Sequence, residues 1–122
     1  MQIVFPSGGK YYMHTGMVDM RKGFDGLCGV VLQHLGKQPI GGDTFIFLNQ
    51  RRDRIKLLQF QGDGFAIFYK RLEKGTYEIP GINAQNGSLV LTASQLQFIL
   101  DGVALSSVKK RLRYQHENVD KM

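Results

Sequence analysis

Arg54-Ile55-Lys56-Leu57-Leu58-Gln59-Phe60-Gln61-Gly62-Asp63-Gly64-Phe65-Ala66-Ile67-Phe68-Tyr69-Lys70-Arg71-Leu72 is the stretch on which the fold turns. Two apolar and aromatic runs, Arg54 to Gln61 and Phe65 to Leu72, flank Gly62-Asp63. That pair reads as a two-residue hairpin turn, with glycine at the first central position, where a type II′ turn needs positive φ. The turn sets the register: Phe60 opposes Phe65, Leu58 opposes Ile67, Lys56 opposes Tyr69, and Arg54 opposes Arg71. Side chains alternate along a strand, so these eight share one face. The face grades from apolar at the turn to basic, with one aromatic, at the open end. Arg51 and Arg52 extend the basic end. Ile55, Leu57, Phe68 and Leu72 fall on the opposite, core-like side. Arg54 facing Arg71 is a like-charge pair that destabilises the hairpin unless an anion bridges it. The same charges also suit a sheet edge protected from aggregation.

Working outward from the hairpin, Thr44 to Asn49 reads as a buried strand. Ile3 to Phe5 and Lys10 to Met13 read as short strands around a Pro6-Ser7-Gly8-Gly9 turn, and Tyr77 to Pro80 and Ser88 to Leu91 as weaker ones. Between the early strands and Thr44, Asp19 reads as a helix N-cap. Met20, Phe24, Leu27, Val31 and Leu35 follow at helical spacing, and Gly36 is the stop. Gly23, Gly26 and Gly29 inside that helix each cost about 1 kcal/mol relative to Ala, which predicts close backbone contact as compensation. A second helix starts at Thr92, where Thr92-Ala93-Ser94-Gln95 is a capping box and Leu91 with Leu96 a hydrophobic staple. Leu96, Ile99, Leu100 and Val103 form its buried face. This order predicts an α+β fold: an antiparallel sheet of about five strands with two helices packed against one side. A single domain is expected over 1–103, followed by a basic C-terminal tail, 104–122, partly helical or mobile.

The chain has 122 residues, 16 Lys+Arg against 10 Asp+Glu, and a formal net charge of +6. The excess is concentrated. Residues 51–74 carry net +4 and 104–122 net +3, whereas 75–103 carry net −2. Concentrated positive charge is an electrostatic footprint for a polyanion. One cysteine, Cys28, excludes a disulfide framework and a Cys-rich zinc site. No signal peptide or long apolar run stands in the chain, so a cytoplasmic protein without membrane attachment is expected.

The chemical motifs give no positive signal for catalysis. His14, His34 and His116 do not form a metal-type pair, and Cys28 lies on an apolar helix side among core residues. Asp19, Asp25, Asp53 and Asp63 are carboxylates of the type that metal-dependent nucleases use. Each has a local explanation: a helix cap, an ion pair with Arg21, pairing with Arg52 or Arg54, and a tight turn. No catalytic residue, metal ligand or cofactor site is assigned. Arg21 and Lys22, in the predicted first helical turn, suit either a phosphate held by backbone N–H groups or plain solvation.

Asp19-Met20-Arg21-Lys22-Gly23-Phe24-Asp25-Gly26-Leu27 closely resembles the N-terminal signature of the small TnpB accessory proteins of bacterial insertion-sequence 66 transposons. Asn49-Gln50-Arg51-Arg52-Asp53-Arg54-Ile55-Lys56 resembles the second family block. Gly62-Asp63-Gly64-Phe65 and Tyr69-Lys70-Arg71-Leu72-Glu73-Lys74-Gly75 resemble the third. Leu91-Thr92, Gln95-Leu96 and Leu100-Asp101-Gly102 are similar to the end of the family domain. Phe60, Ala66 and Phe68 stand where family members commonly carry Trp. The resemblance implies a role in DNA transposition beside a larger transposase, which carries the strand-transfer chemistry, and another small element-encoded protein.

The expectation is therefore a non-catalytic accessory protein that binds DNA, at transposon ends, through a basic surface. Arg21, Lys22, Arg51, Arg52, Arg54, Lys56, Lys70 and Arg71 are the expected phosphate contacts, with Tyr69 stacking or positioning the backbone. The alternative is an adaptor that binds the element's transposase without touching DNA, its positive charge matching an acidic patch.

Overall fold

A computed structural model describes residues 9–80 and 87–102. Along the chain come β1 (Tyr11–Met17), α1 (Phe24–Val30) with a π-helical continuation (Val31–Leu35), β2 (Thr44–Leu48), β3 (Arg54–Phe60), β4 (Phe65–Arg71), β5 (Ser88–Leu91) and α2 (Ala93–Asp101). The expected strand Ile3 to Phe5, the Pro6-Ser7-Gly8 part of its turn, Val103 and the basic tail lie outside the described residues.

The β3–β4 hairpin has the register set by its turn. Arg54 pairs with Arg71, Lys56 with Tyr69, Leu58 with Ile67 and Phe60 with Phe65. Gly62 takes φ 91°, which a side chain would oppose, and the Gln61 N–H donates to the Gly64 carbonyl at 2.8 Å. At α2 the capping box is complete: the Gln95 N–H donates to Thr92 Oγ1 at 3.0 Å, and the Thr92 N–H to Gln95 Oε1 at 2.8 Å. Leu91 and Leu96 are both buried in one cluster, as the staple requires. Tyr77 to Pro80 forms no strand. Tyr77 is instead anchored by its N–H, which donates to the Arg52 carbonyl at 2.7 Å, and its ring is fully buried.

The five strands lie in the order β4-β3-β2-β1-β5. All neighbours are antiparallel except β1 and β2, which run parallel, so the sheet is mixed rather than wholly antiparallel. The connection from Met17 to Thr44 explains this. It contains α1 and its continuation, and a crossover of that length returns the chain to the starting end of the sheet, as parallel pairing demands.

Strand alternation divides the core in two. Met13, Ile46, Leu48, Ile55 and Leu57 pack with Leu96, Ile99 and Leu100 of α2. Tyr12, Phe45, Phe47 and Leu58 pack with Leu27, Val30, Val31 and Leu35 of the first helix. The helices therefore cover opposite faces of the sheet, not one side. That explains why all five residues of β2 are buried: it lies near the middle of the sheet with a helix over each face. Gln59 Nε2 donates to Thr44 Oγ1 at 3.1 Å, satisfying two buried polar groups.

The first helix begins at Phe24, later than its apolar periodicity suggested, and stops at Gly36, which is left-handed at φ 63°. Gly23 is the N-cap residue rather than an interior one. The close backbone contact expected at the glycines is not there. An added Cβ at Gly29 would meet nothing within 4 Å, and at Gly26 only the Lys22 side chain, at 3.0 Å. Cys28 is half-buried on the α1 cluster, and burial pushes its thiol up. Among the described residues, no helix is long and apolar enough to cross a membrane.

Candidate functional site

The basic residues of the second block sit in the β2–β3 turn, and Asn49 builds that turn. Its side-chain oxygen accepts from the Asp53 N–H at 3.1 Å and the Arg54 N–H at 3.0 Å, while its Nδ2 donates to Asp53 Oδ1 at 2.7 Å. The Arg52 N–H donates to the Asn49 carbonyl at 3.1 Å, with Arg52 in the left-handed region at φ 60°. An Asx side chain closing a turn on its own backbone leaves the intervening residues pointing outward. Gln50, Arg51 and Arg52 are accordingly exposed. Asp53 is bonded to Asn49 rather than ion-paired with its flanking arginines. The Asn49 hydrogen bond is the main cause that lowers its pKa, with Arg51 and Arg54 adding smaller effects.

A second turn stands opposite. Asp19 does not cap a helix. Its Oδ1 accepts from the Arg21 N–H at 2.8 Å, and its carboxylate holds the Arg21 guanidinium through Nε at 3.0 Å and Nη2 at 2.6 Å. Arg21 therefore pairs with Asp19, not with Asp25. Arg21's side-chain hydrogen bonds hold the Asp19 pKa down at about 2. Arg21 and Lys22 precede α1 and its N-cap Gly23, so they are not part of the first helical turn.

Lys56 ties this turn to the sheet. It is only 7% exposed, and its ammonium donates to the Met20 carbonyl at 2.7 Å and the Lys22 carbonyl at 2.8 Å. The same nitrogen lies 4.6 Å from the centroid of the Tyr69 ring, a cation–π distance. Its charge is committed internally, which suits an anchor and not a phosphate contact.

Between the two turns lies a groove of about 690 Å³, lined by Met17, Val18, Asp19, Met20, Arg21, Asn49, Gln50, Arg51, Arg54 and Tyr69. It opens where the parallel pair ends, since Met17 closes β1 and Asn49 follows β2. Of the nine predicted residues, Arg21, Arg51, Arg54 and Tyr69 meet there. Arg54 Nη1 donates to the Tyr69 hydroxyl at 3.4 Å, orienting both. Lys22, Arg52, Lys70 and Arg71 lie outside the lining. Lys70 pairs across from Ile55, so it belongs to the α2 face, opposite Arg54 and Tyr69. Arg71 is held by Glu73, Nη2 to Oε2 at 3.1 Å. Glu73 offsets the Arg71 charge and so eases the Arg54–Arg71 repulsion, while Arg54, among the described residues, keeps its charge uncompensated.

Three arginines against one aspartate leave the lining at net +2. Arg51 is exposed and, among the described residues, makes no hydrogen bond or ion pair. Sequence reasoning did not give Asn49 a structural role, or Met17 and Met20 a place in the lining. An Asn before a polar turn was the available signal for Asn49. No signal marked the methionines, whose positions follow from packing. His14 and His34, distant in sequence, come together with rings 6.1 Å apart, and burial lowers the His14 pKa. Among the described residues no three of His, Cys, Asp and Glu converge in a way that would hold a metal ion.

A family model described as IS66 Orf2 like protein matches residues 9–110. Two uncharacterized proteins of Sinorhizobium fredii (strain NBRC 101917 / NGR234) are similar along most of their length. The protein y4hO is 31% identical over 102 residues, covering 82% of this chain and 87% of y4hO. The protein y4jC is 29% identical over 110 residues, covering 89% and 92%. No solved structure matches.

Proposed function

The chain belongs to the insertion-sequence 66 Orf2-like family, and we propose that it serves DNA transposition as a non-catalytic accessory protein that binds DNA through the groove between its two turns. The observation that carries this reading is the convergence of Arg21, Arg51 and Arg54 with Tyr69 from three separate stretches of chain. Guanidinium groups match phosphate geometry, and an aromatic among them gives a nucleotide a surface to lie on. Lys22 and Arg52 flank the groove in sequence and extend the positive field.

Contacts of this kind give affinity that falls steeply with salt and discriminates little between sequences. The test is an anisotropy titration of the full chain with transposon-end DNA over a salt series. Each phosphate contact on a duplex contributes about −0.9 to the logarithmic salt slope, so Arg51 and Arg54, with Arg21 already paired to Asp19, predict roughly −2. Arg51→Ala with Arg54→Ala should bring the slope close to zero and weaken binding. Absence of binding at low salt, or binding indifferent to that double substitution, would remove the proposal.

A second reading, an adaptor for the element's transposase, draws on Met17, which is 64% exposed in the groove wall. Unbranched thioether side chains adapt readily to protein surfaces. Nuclease-resistant co-purification with the transposase, lost in Met17→Ala, would favour this reading over DNA binding.

A further inference from the structure

The groove joins two chemistries that a duplex does not use together. Its rim is cationic, from Arg51 and Arg54, but its wall includes the apolar residues Met17, Val18 and Met20. The groove, of about 690 Å³, is open rather than enclosed, so a strand can lie along it. A double helix presents phosphates and sugars on a convex surface, with its bases stacked inside. Such a surface meets the rim and leaves the apolar wall in water. An unpaired strand presents the faces of its bases, which are apolar and aromatic, at the same spacing as its phosphates.

Resting on the DNA-binding reading above, we infer that the groove takes unpaired nucleotides, so that its ligand is single-stranded DNA and not a duplex. Tyr69 is the stacking element. Tyr69 is 48% exposed, the Lys56 ammonium lies 4.6 Å from its ring centroid, and Arg54 donates to its hydroxyl at 3.4 Å. A ring held at two points loses little freedom on stacking, which favours affinity. Met17 and Met20 supply sulfur and methylene contacts to a neighbouring base, a favourable pairing for thioethers and aromatic rings. Gln50 adds an amide that makes no hydrogen bond among the described residues. Arg51 and Arg54 take the phosphates on either side. Asp19 already neutralises Arg21, so Arg21 orders the wall of the groove more than it adds charge. Each element suits a single strand: aromatic and apolar platforms for base faces, and cations that track the backbone without reading sequence.

The experiment measures the full chain against three fluorescent probes of equal length: a single strand of mixed sequence, its duplex, and an abasic single strand that keeps every phosphate. The expected result is about tenfold tighter binding of the single strand than of either other probe. Tyr69→Ala should weaken single-strand binding by roughly 5- to 100-fold and leave duplex binding within about twofold, whereas Tyr69→Phe should keep most of the affinity. Met17→Ala, at an exposed position that the fold does not need, should weaken the single strand alone. Equal binding of the abasic strand, or a duplex bound as tightly as the single strand, would overturn this inference while leaving DNA binding intact. Failure to bind any of the three at low salt would overturn both.

Discussion

Replacing Lys56 by Met removes the ammonium that joins the Met20–Lys22 turn to β3 and keeps most of the apolar stem. Two hydrogen bonds are lost, at 2.7 Å and 2.8 Å, together with the contact to the Tyr69 ring. Hydrogen bonds to charged groups contribute about 1.5–3 kcal/mol each, and a cation–π contact of this kind about 0.5–1. Two effects offset part of that sum. The variant no longer desolvates an ammonium, which costs several kcal/mol for a buried ion. The freed carbonyls also belong to a turn that water can reach, since Lys22 is exposed. A net loss of about 2–3 kcal/mol is expected. For 122 residues that lowers Tm by roughly 10 °C. Urea unfolding followed by circular dichroism should show a lower midpoint with an unchanged slope. Hydrogen exchange should rise at the Lys22 amide, which donates to the Asp19 carbonyl at 3.1 Å. A loss under about 0.5 kcal/mol, or unchanged exchange at Lys22, would refute the anchoring role of Lys56.

Three other perturbations test separate parts of the structure. Asn49→Ala deletes three side-chain hydrogen bonds from the β2–β3 turn and should destabilise the fold by about 2–3 kcal/mol; a Tm equal to that of the unaltered chain would contradict this account of the turn. Gly29→Ala places a methyl group where nothing lies within 4 Å, so it should raise stability by roughly 0.5–1 kcal/mol in chemical denaturation, and a decrease would show the position is not open. The Asp19 carboxyl, followed by NMR, should titrate at about 2, because Arg21 donates to it. This pKa is depressed by folding, so the Asp19–Arg21 contribution is present above the ordinary carboxylate value and fades as pH falls through about 2. Arg21→Ala should move the Asp19 pKa up toward the ordinary range, the backbone N–H of residue 21 still holding part of the depression, and an unchanged titration would rule out the Arg21 side chain as the cause.

How legible each feature was depended on how local its cause is. The hairpin register followed from two residues, since a tight turn at Gly62-Asp63 allows one pairing and alternation then assigns every face. The capping box at Thr92 was equally readable, because donor and acceptor lie three residues apart. Asp19 misled for a local reason too. An Asp before an apolar stripe signals a helix cap, but the same side chain also closes an Asx turn, and Arg21 two residues on decided for the turn. Met20 kept the helical spacing by coincidence: it reaches the α1 cluster from outside the helix. Lys56 illustrates the limit most clearly. Alternation placed it correctly on the Arg54–Tyr69 face, but its neighbours there include carbonyls from residues more than thirty positions away. A charge that looked available in the hairpin is buried once the turn before α1 packs over it.

The sequence by itself therefore determined the elements whose instructions are short: the hairpin and its register, the second helix and its cap, the stop at Gly36, the concentration of positive charge, and the family to which the blocks belong. Tertiary structure alone decided the parallel pairing of β1 with β2, the placing of one helix on each face, and the division of nine candidate residues into a groove-lining four, a buried anchor and four that lie elsewhere. The physical reason is separation along the chain. The groove is assembled from residues 17–21, 49–51, 54 and 69, and no local pattern specifies that such distant stretches meet. Burial of the two apolar faces of the sheet brings them together, and the charges take their roles from where that packing leaves them.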